Sequence, residues 1–524
     1  MDDDLPTDFN VIVVGTGMVE SIVAAACSRI GKNVLHLDSS DHYGGLWASY
    51  NFDGLQKFIK EVQSDPERQI QVYNLVEKWY IDKEGPQEEK KDDGEENKTG
   101  PSRKIWSQAD FSSEYRKFNI DMTPKLLFSR GPLVELLISS NIARYAEFRC
   151  VTRVLTWLDD KLVPVPCSRA DVFATEAVSI VEKRMLMKML TSIVGYSEEE
   201  MNNEFKDWND KSFKEYLTHK GLTPTLIHYV VFAIAGGTNS MPCLEGVREC
   251  KRFLASLGRY GNTPFLWPMY GSGELPQCFC RLCAVFGGVY CLNRPIDQVE
   301  VKTVEEGRTV VAIASKAKSL LCDHLVIGIN ECPPALRQLD APHGRDISKG
   351  IFITNRSILA SEKEPLTLLR FPPLNEADNA VTVIEVGPAT GSCPKGLFVV
   401  YLISNMVSGA EEDLLPVAER IFDMSGGDQS APCDKPKCLW SLVFGVRDGV
   451  GPSASLASLA SSGQRVHVCA GPDAQLDFDR AVAQAEQIFK EICPGQEFLP
   501  RAPDPEEIVF EDDVTHGPAF DDEA

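Results

Sequence analysis

The chain has 524 residues, 43% of them hydrophobic, and a formal net charge of −23 at pH 7. It is too long for one compact core, so we expect two or more domains. The acidic balance argues against nucleic acids and anionic membrane surfaces as stable partners, and it is compatible with basic protein surfaces.

No signal for export or membrane insertion is visible. Residues 1–4 are acidic and lack the apolar run of a signal peptide, and no uninterrupted apolar run reaches ~18 residues. Sixteen cysteines in such a chain indicate reduced, mostly buried thiols. We therefore expect a cytosolic protein.

The first forty residues follow the pattern of a dinucleotide-binding βαβ unit. Residues 9–14 predict a buried strand, Gly15 and Gly17 a tight turn, residues 19–30 a helix, and residues 33–38 a second strand. Asp38 comes 23 residues after Gly15, about where a ribose-binding acid belongs.

The motif is degenerate where a cofactor would bind. Glu20 occupies the third position of G-x-G-x-x-G and brings bulk and negative charge to the place of a diphosphate. A second glycine pair, Gly44 and Gly45, follows Tyr43, but Leu46 stands where flavoproteins often carry a basic residue. We expect a flavoprotein-like α/β scaffold that binds no FAD and uses no other cofactor.

The middle of the chain contains an acidic insertion and then a mainly helical stretch. Residues 72–81 predict a helix or an extended segment, residues 82–103 a flexible acidic insertion, and residues 118–124 a strand. A mainly helical stretch follows, interrupted by a hairpin at 150–165; its predicted helices are 132–145, 170–190, 212–219, 223–235 and 244–257. We interpret 129–258 as an inserted all-α domain II, and 1–128 with 259–524 as domain I.

The last part of the chain predicts a return to domain I. Its expected strands are 288–292, 296–301, 309–314, 324–329, 381–386, 396–402, 439–444 and 466–468, followed by a helix over 478–492.

Cysteines at 278, 280, 283 and 291 suggest a metal site at first sight. Their C-x-C-x-x-C spacing lacks paired C-x₂-C knuckles, and cysteines two apart on a helix point in different directions. Core residues are the favoured interpretation, and no metal is expected.

Two pairs of side chains are typical of protein interfaces. A helix is predicted at 276–286. Glu274, just before it, and Arg281, within it, are seven residues apart, so they would share one face beside a tight loop at 270–273. Phe173 and Arg184 are eleven apart, close to three helical turns, and are residue types of interface hot spots. Taken in isolation, a core position for Phe173 and a solvent position for Arg184 are the favoured interpretation. No nucleophile elbow, Walker loop or H-E-x-x-H motif is visible, which fits a binding protein better than an enzyme.

Together, several stretches resemble the family of Rab GDP-dissociation inhibitors and Rab escort proteins. They are residues 13–20, 31–38, 43–45, 257–264 and, most specifically, 269–288. The escort branch, component A of Rab geranylgeranyl transferase, is the closer match because of residues 168–173 and 181–188, the insertion 82–103 and the tail at 502–510. The family has a flavoprotein-like domain without FAD.

The resemblance implies functional residues. Tyr43, Glu274 and Arg281 would form the Rab-binding platform, with Cys291 at a position where the family has methionine. Phe173 and Arg184 would contact the transferase. A nearby apolar surface would hold the Rab C-terminal tail, with Ile120, Met122 and Leu126 as candidates.

The implied function is that of a non-catalytic escort. It would bind GDP-bound Rab GTPases, present them to the αβ transferase for geranylgeranylation, hold the geranylgeranyl groups in domain II, and deliver prenylated Rab to membranes with only transient membrane contact. Two alternatives remain open: a Rab GDP-dissociation inhibitor that recycles prenylated Rabs, and a flavin-dependent oxidoreductase.

Overall fold

The computed structural model describes residues 5–65, 71–84, 104–167, 179–303, 309–316, 318–338, 345–361, 364–375, 379–429, 431–448, 451–452 and 465–501. Phe173 and nearly all of the predicted acidic insertion lie outside these described residues. The strands, numbered along the chain, are β1 Asp8–Val14, β2 Val34–Leu37, β3 Ser49–Tyr50, β4 Val72–Trp79, β5 Ile120–Asp121, β6 Leu127–Phe128, β7 Phe148–Cys150, β8 Arg153–Leu158, β9 Lys161–Pro164, β10 Phe265–Pro268, β11 Val289–Cys291, β12 Gln298–Thr303, β13 Thr309–Ser315, β14 Lys318–Gly328, β15 Arg337–Gln338, β16 Ile347–Thr354, β17 Thr367–Phe371, β18 Val381–Val386, β19 Phe398–Asn405, β20 Cys438–Val446, β21 Gly451–Pro452 and β22 Val466–Cys469.

The α-helices are α1 Met18–Arg29, α2 Phe52–Ser64, α3 Gln108–Ser113, α4 Pro132–Ser139, α5 Ile180–Gly195, α6 Glu198–Glu204, α7 Phe213–His219, α8 Pro224–His228, α9 Cys243–Ser256, α10 Glu274–Val285, α11 Ala410–Ile421 and α12 Asp479–Ile492. A π-helical turn, Tyr229–Ile234, continues α8. Within the described ranges, no helix has both the length and the apolar character needed to cross a membrane.

The first sheet is largely parallel and is built around β1. β2 and β14 flank β1 in parallel, β11 extends the sheet beyond β2, and β22 runs parallel to β14. β13 and β12 complete it as an antiparallel pair beyond β14. This arrangement confirms the predicted flavoprotein-like α/β fold.

α1 is the central helix of this first layer. It is buried from Met18 to Ser28, and it packs against α10 and α12. Its three consecutive alanines, residues 24–26, are small enough to allow this close approach. The order strand, glycine turn, buried helix and strand therefore follows directly from the sequence.

The second sheet has the order β4-β20-β16-β19-β18-β17-β8-β9. All its pairings are antiparallel except β17 with β8. α11 packs against β16, and every residue of β16 is buried. β16 is therefore covered on both of its faces.

A helical block from α5 to α9 adjoins the second sheet and shares one continuous hydrophobic core with it. Serine and glutamate three residues apart form a capping box at the starts of α5, α6 and α7, which satisfies backbone N–H groups that have no helical partner.

Residues 129–258 contain strands as well as helices. Strands β7 to β9 fall within this range, and β8 pairs with β17 of the second sheet. The hairpin of β8 and β9 is an edge of that sheet, and the helices α5 to α9 follow it. The division of the chain into two domains, with its boundaries, stays a prediction.

Candidate functional site

The loop before α10 is fixed by one buried carboxylate. Asp121 accepts a hydrogen bond from the Ser272 N–H at 2.8 Å and another from the Ser49 hydroxyl. Ser49 Oγ in turn accepts the Gly273 N–H at 2.9 Å. Gly271 has φ +104°, and a Cβ there would lie 2.3 Å from an Asp121 oxygen, so only glycine fits this turn.

One face of α10 presents Glu274 and Arg281, as the spacing predicts. Glu274 is partly buried at the first residue of the helix, and this burial raises the pKa of its carboxyl. Cys278 lies between them. Burial raises the pKa of its thiol to about 11, with Glu274 raising it further and Arg281 lowering it. Both charges therefore lie close to the same thiol.

Arg281 is exposed and is supported by an aromatic ring. Its guanidinium carbon lies 4.5 Å from the centre of the Tyr145 ring, and Tyr145 is 39% exposed. A guanidinium over a ring keeps its hydrogen-bond donors directed outward. The pair therefore presents a rigid cation to solvent.

Tyr43 and Cys291 lie on neighbouring elements next to α10. The Tyr43 ring meets the Tyr290 ring edge to face, with 6.0 Å between centroids, and Cys291 is the next residue of β11. The pKa of the Tyr43 hydroxyl is raised by burial and also by the nearby Cys280 of α10. The structure thus brings the four predicted platform residues onto α10, β11 and the loop after β2.

The degenerate nucleotide motif surrounds a cavity of ≈ 40 Å³. Glu20 is 6% exposed and lies against the glycine turn, so a Cβ at Gly17 would be 2.6 Å from its Oε2 atom. Burial raises the pKa of the Glu20 carboxyl to about 8, helped by the charges of Asp38 and Glu331. Glu331 also lines the cavity, and its pKa is raised to about 7, mainly by burial.

These residues do not fit a dinucleotide cofactor. Glu20 fills the position where a pyrophosphate would approach the turn, and three carboxyl groups, those of Glu20, Asp38 and Glu331, line the remaining space. An anion would have to enter beside them without a compensating cation.

The second predicted interface is only partly described. Arg184 is exposed on α5, whereas Phe173 lies outside the described residues. α5 begins at Ile180, with Ser179 as its N-cap. The methionines at 185, 187 and 189 lie on the same helix and are half-buried or buried.

The proposed tail-binding surface needs correction. Ile120, Met122 and Leu126 are exposed by 1% or less and belong to the hydrophobic core. The short strand β5 pairs with β3 and carries this stretch inward. The expectation that these three side chains form an accessible apolar surface is wrong.

Several side chains of these surfaces are not predicted from the sequence. Tyr145 and Tyr290 contact Arg281 and Tyr43, but each is remote in sequence from its partner. Ile180 and Val181 are 70% and 65% exposed in the first turn of α5, one turn from Arg184. The sequence does contain a signal for this helix start, since both residues lie between Ser179 and Glu182, which form the capping box.

The cysteines of α10 face the core. Cys278, Cys280 and Cys283 are buried, and Cys280 Sγ lies 3.2 Å from the Ser21 hydroxyl of α1. Among the described residues, no group of three or more His, Cys, Asp or Glu side chains is arranged to hold a metal ion.

Known proteins resemble this chain both in sequence and in fold. The sequence model of the family described as GDP dissociation inhibitor matches residues 1–82 and 104–411. Rab proteins geranylgeranyltransferase component A of Drosophila melanogaster is 37% identical over 97% of this chain and 93% of its own length. The Rab GDP-dissociation inhibitor of Saccharomyces cerevisiae is 32% identical over 57% of this chain and 59% of its own length. The crystal structure of Rab GDI from Plasmodium falciparum has the same fold, with a TM-score of 0.65, 18% identity, and coverage of 94% of this chain and 99% of that one. The chain therefore belongs to the GDP dissociation inhibitor family.

Proposed function

We propose that this protein is a Rab escort protein. It binds newly made GDP-bound Rab GTPases, presents them to Rab geranylgeranyl transferase for prenylation of their C-terminal cysteines, and delivers the prenylated Rab to membranes. The observation that carries the proposal is the extent of similarity. The component A relative is 37% identical over 97% of this chain, whereas two inhibitor relatives are 32% identical over 57% (Saccharomyces cerevisiae) and 27% identical over 82% (Arabidopsis thaliana).

The Rab contact is proposed on the face that carries Tyr43, Glu274, Arg281 and Cys291. The loop before α10 is held by hydrogen bonds from the Ser272 N–H to Asp121 and from the Gly273 N–H to the Ser49 hydroxyl, so the face is preformed. A carboxyl and a guanidinium two turns apart recognise complementary polar groups and fix the orientation of a partner. Cys291 contributes a smaller apolar contact than methionine would.

The transferase contact is proposed at Phe173 and at Arg184 on α5. Arg184 is exposed, and Ile180 and Val181 beside it are large apolar side chains that have no cover in the described structure. An arginine beside exposed apolar side chains is a common composition of interface hot spots.

The protein itself is proposed to act as an accessory subunit without its own catalysis and without FAD. The position of Glu20 supports this, because its carboxyl lies against the glycine turn where a pyrophosphate would approach. A flavin oxidoreductase would purify yellow, so a visible absorbance scan separates the two cases.

A reconstituted prenylation assay tests the proposal. It contains this protein, a GDP-loaded Rab, the transferase and a labelled geranylgeranyl donor. We expect lipid incorporation that depends on this chain and that falls with Phe173→Ala and Arg184→Ala but not with Arg420→Ala, an exposed arginine of α11. No incorporation, together with extraction of prenylated Rab from membranes, would instead identify a GDP-dissociation inhibitor.

A further inference from the structure

A basic recess lies at one end of the second sheet, beside the end of β16 and the starts of β19 and β20. It encloses ≈ 990 Å³ and is walled by residues 104–106, 355–356, 395, 396, 398, 429, 431–435 and 437. Five of its lining residues are basic and one, Asp434, is acidic: the basic ones are Lys104, Arg356, Lys395, Lys435 and Lys437. Such a local excess of positive charge stands out in a chain with a net charge of −23.

Among the described residues, three of these cations have no acidic partner. In the described part of the chain, no carboxylate forms a salt bridge with Arg356, Lys395 or Lys435. The Arg356 guanidinium instead donates to the carbonyls of Cys433 and Lys435, and the Lys435 ammonium donates to the Glu419 carbonyl at 2.7 Å. Carbonyls leave the positive charge uncompensated and further donors free.

The walls of the recess are tied together by hydrogen bonds. The Gln429 side chain accepts the Trp106 N–H at 3.0 Å and donates to the Trp106 carbonyl at 2.6 Å. Asn355 Oδ1 accepts the Lys437 N–H at 3.0 Å, while the Asn355 N–H donates to the Lys437 carbonyl at 3.1 Å. The recess is therefore a preformed feature of the fold, even though its walls come from segments far apart in sequence.

The recess also offers apolar contacts. Ile105 is 42% exposed, and Phe398 is half-buried in the wall. Lys104 lies 3.8 Å from the centre of the Trp106 ring and pairs with Asp110 and Glu114, so it fixes this corner. A ligand that fits must combine negative charge with apolar side chains.

We propose that this recess binds an acidic peptide segment of a partner protein, in which carboxylates alternate with apolar side chains. The cations are distributed over several wall segments, which suits a row of carboxylates better than a single phosphate. A membrane surface fits less well, because Trp106 is 3% exposed and cannot insert into a bilayer.

Fluorescence anisotropy with the full-length protein tests the proposal. The probe is a fluorescein-labelled peptide in which glutamate alternates with leucine; the same peptide with lysine in place of glutamate is the control. We expect the glutamate peptide to bind, the lysine peptide not to bind, and binding to weaken as salt increases.

Charge reversal locates the binding site. Lys395→Glu with Lys435→Glu should weaken peptide binding by about tenfold or more. Lys60→Glu with Lys161→Glu, two exposed lysines elsewhere, changes the net charge equally and should leave binding unchanged. Equal loss with both double variants would show only non-specific attraction and would overturn the proposal. The proposal is also overturned if the wild-type protein does not bind the glutamate peptide. Binding of phosphatidylserine vesicles through the same lysines, in place of the peptide, would overturn it too.

Discussion

Thr16 donates two hydrogen bonds to the same carboxylate oxygen of Asp38, from its backbone N–H at 2.9 Å and from its hydroxyl at 2.6 Å. The Thr16 hydroxyl also accepts the Gly44 N–H at 2.8 Å. The acid that the βαβ pattern assigns to a ribose is thus used to join the first glycine turn to the second. These hydrogen bonds give the motif a structural role, and they fix the position of Tyr43, the residue before Gly44.

The first prediction concerns the stability of this link. Asp38→Ala removes the acceptor of the two Thr16 bonds and of the Ser40 N–H bond, leaving buried donors without partners. We expect the free energy of unfolding in urea to fall by roughly 2–4 kcal/mol. Asp41→Ala is the control, since that side chain is 80% exposed, and should cost at most about 0.5 kcal/mol. Equal stability of the two variants would contradict the structural role of Asp38.

The second prediction concerns the pH dependence caused by Glu20. The pKa of the Glu20 carboxyl is raised from 4.5 to about 8 in the folded protein, mainly by burial. Between these values the unfolded chain has lost the proton that the folded chain keeps, so the free energy of unfolding decreases as pH rises through this window. Glu20→Gln removes this contribution, and its stability relative to wild type should increase by up to roughly 1.4 kcal/mol per pH unit.

Urea unfolding of both proteins at several pH values from 5 to about 8 measures this difference. Asp38 and Glu331 face the same cavity and interact electrostatically with Glu20, so the difference between the two proteins reports the titration of Glu20 together with its coupling to these two carboxyl groups. Glu61→Gln, on the exposed face of α2, is the control and should show a constant difference from wild type. A constant difference for Glu20→Gln as well would mean that its carboxyl is charged in the folded state.

Much of the fold could be predicted because its signals are local. The glycines at 15 and 17 and the apolar pattern around them specify β1, α1 and β2, and the strand predicted at 381–386 has the bounds of β18. Glu274 and Arg281 were placed on one face from helical periodicity alone. These features depend on residues within a few turns of one another.

The rest depends on contacts between distant segments. Pairing of β8 with β17 joins residues more than 200 positions apart, so the hairpin at 150–165 was assigned to the helical block. Ile120 and Met122 are apolar whether they cover a groove or fill a core, and only the pairing of β5 with β3 decides. β16 was missed because Lys349 and Gly350 interrupt its apolar run, although Lys349 is buried and donates to the Met122 carbonyl at 3.0 Å.

The third prediction concerns the Rab-binding face. Arg281→Ala removes the exposed guanidinium and its contact with Tyr145, so the affinity for a GDP-loaded Rab should fall about tenfold or more. Isothermal titration calorimetry measures the affinity. Arg420→Ala on α11 controls for the loss of an exposed arginine. Unchanged Rab affinity in Arg281→Ala would place the Rab contact elsewhere on the molecule.

The fourth prediction concerns the first turn of α5. Ile180 and Val181 are exposed by 70% and 65%, and their burial against a partner would remove apolar area from water at roughly 25 cal/mol per Å². The double variant Ile180→Ser and Val181→Ser should lower the affinity for the transferase at least about tenfold, while Rab affinity stays at the wild-type level. Val407→Ser, at a position 48% exposed in the loop before α11, is the matched control. Surface plasmon resonance with immobilised transferase provides the measurement. Wild-type affinity in the double variant would exclude this turn from the interface, whereas a parallel loss of Rab affinity would point to damage to the fold.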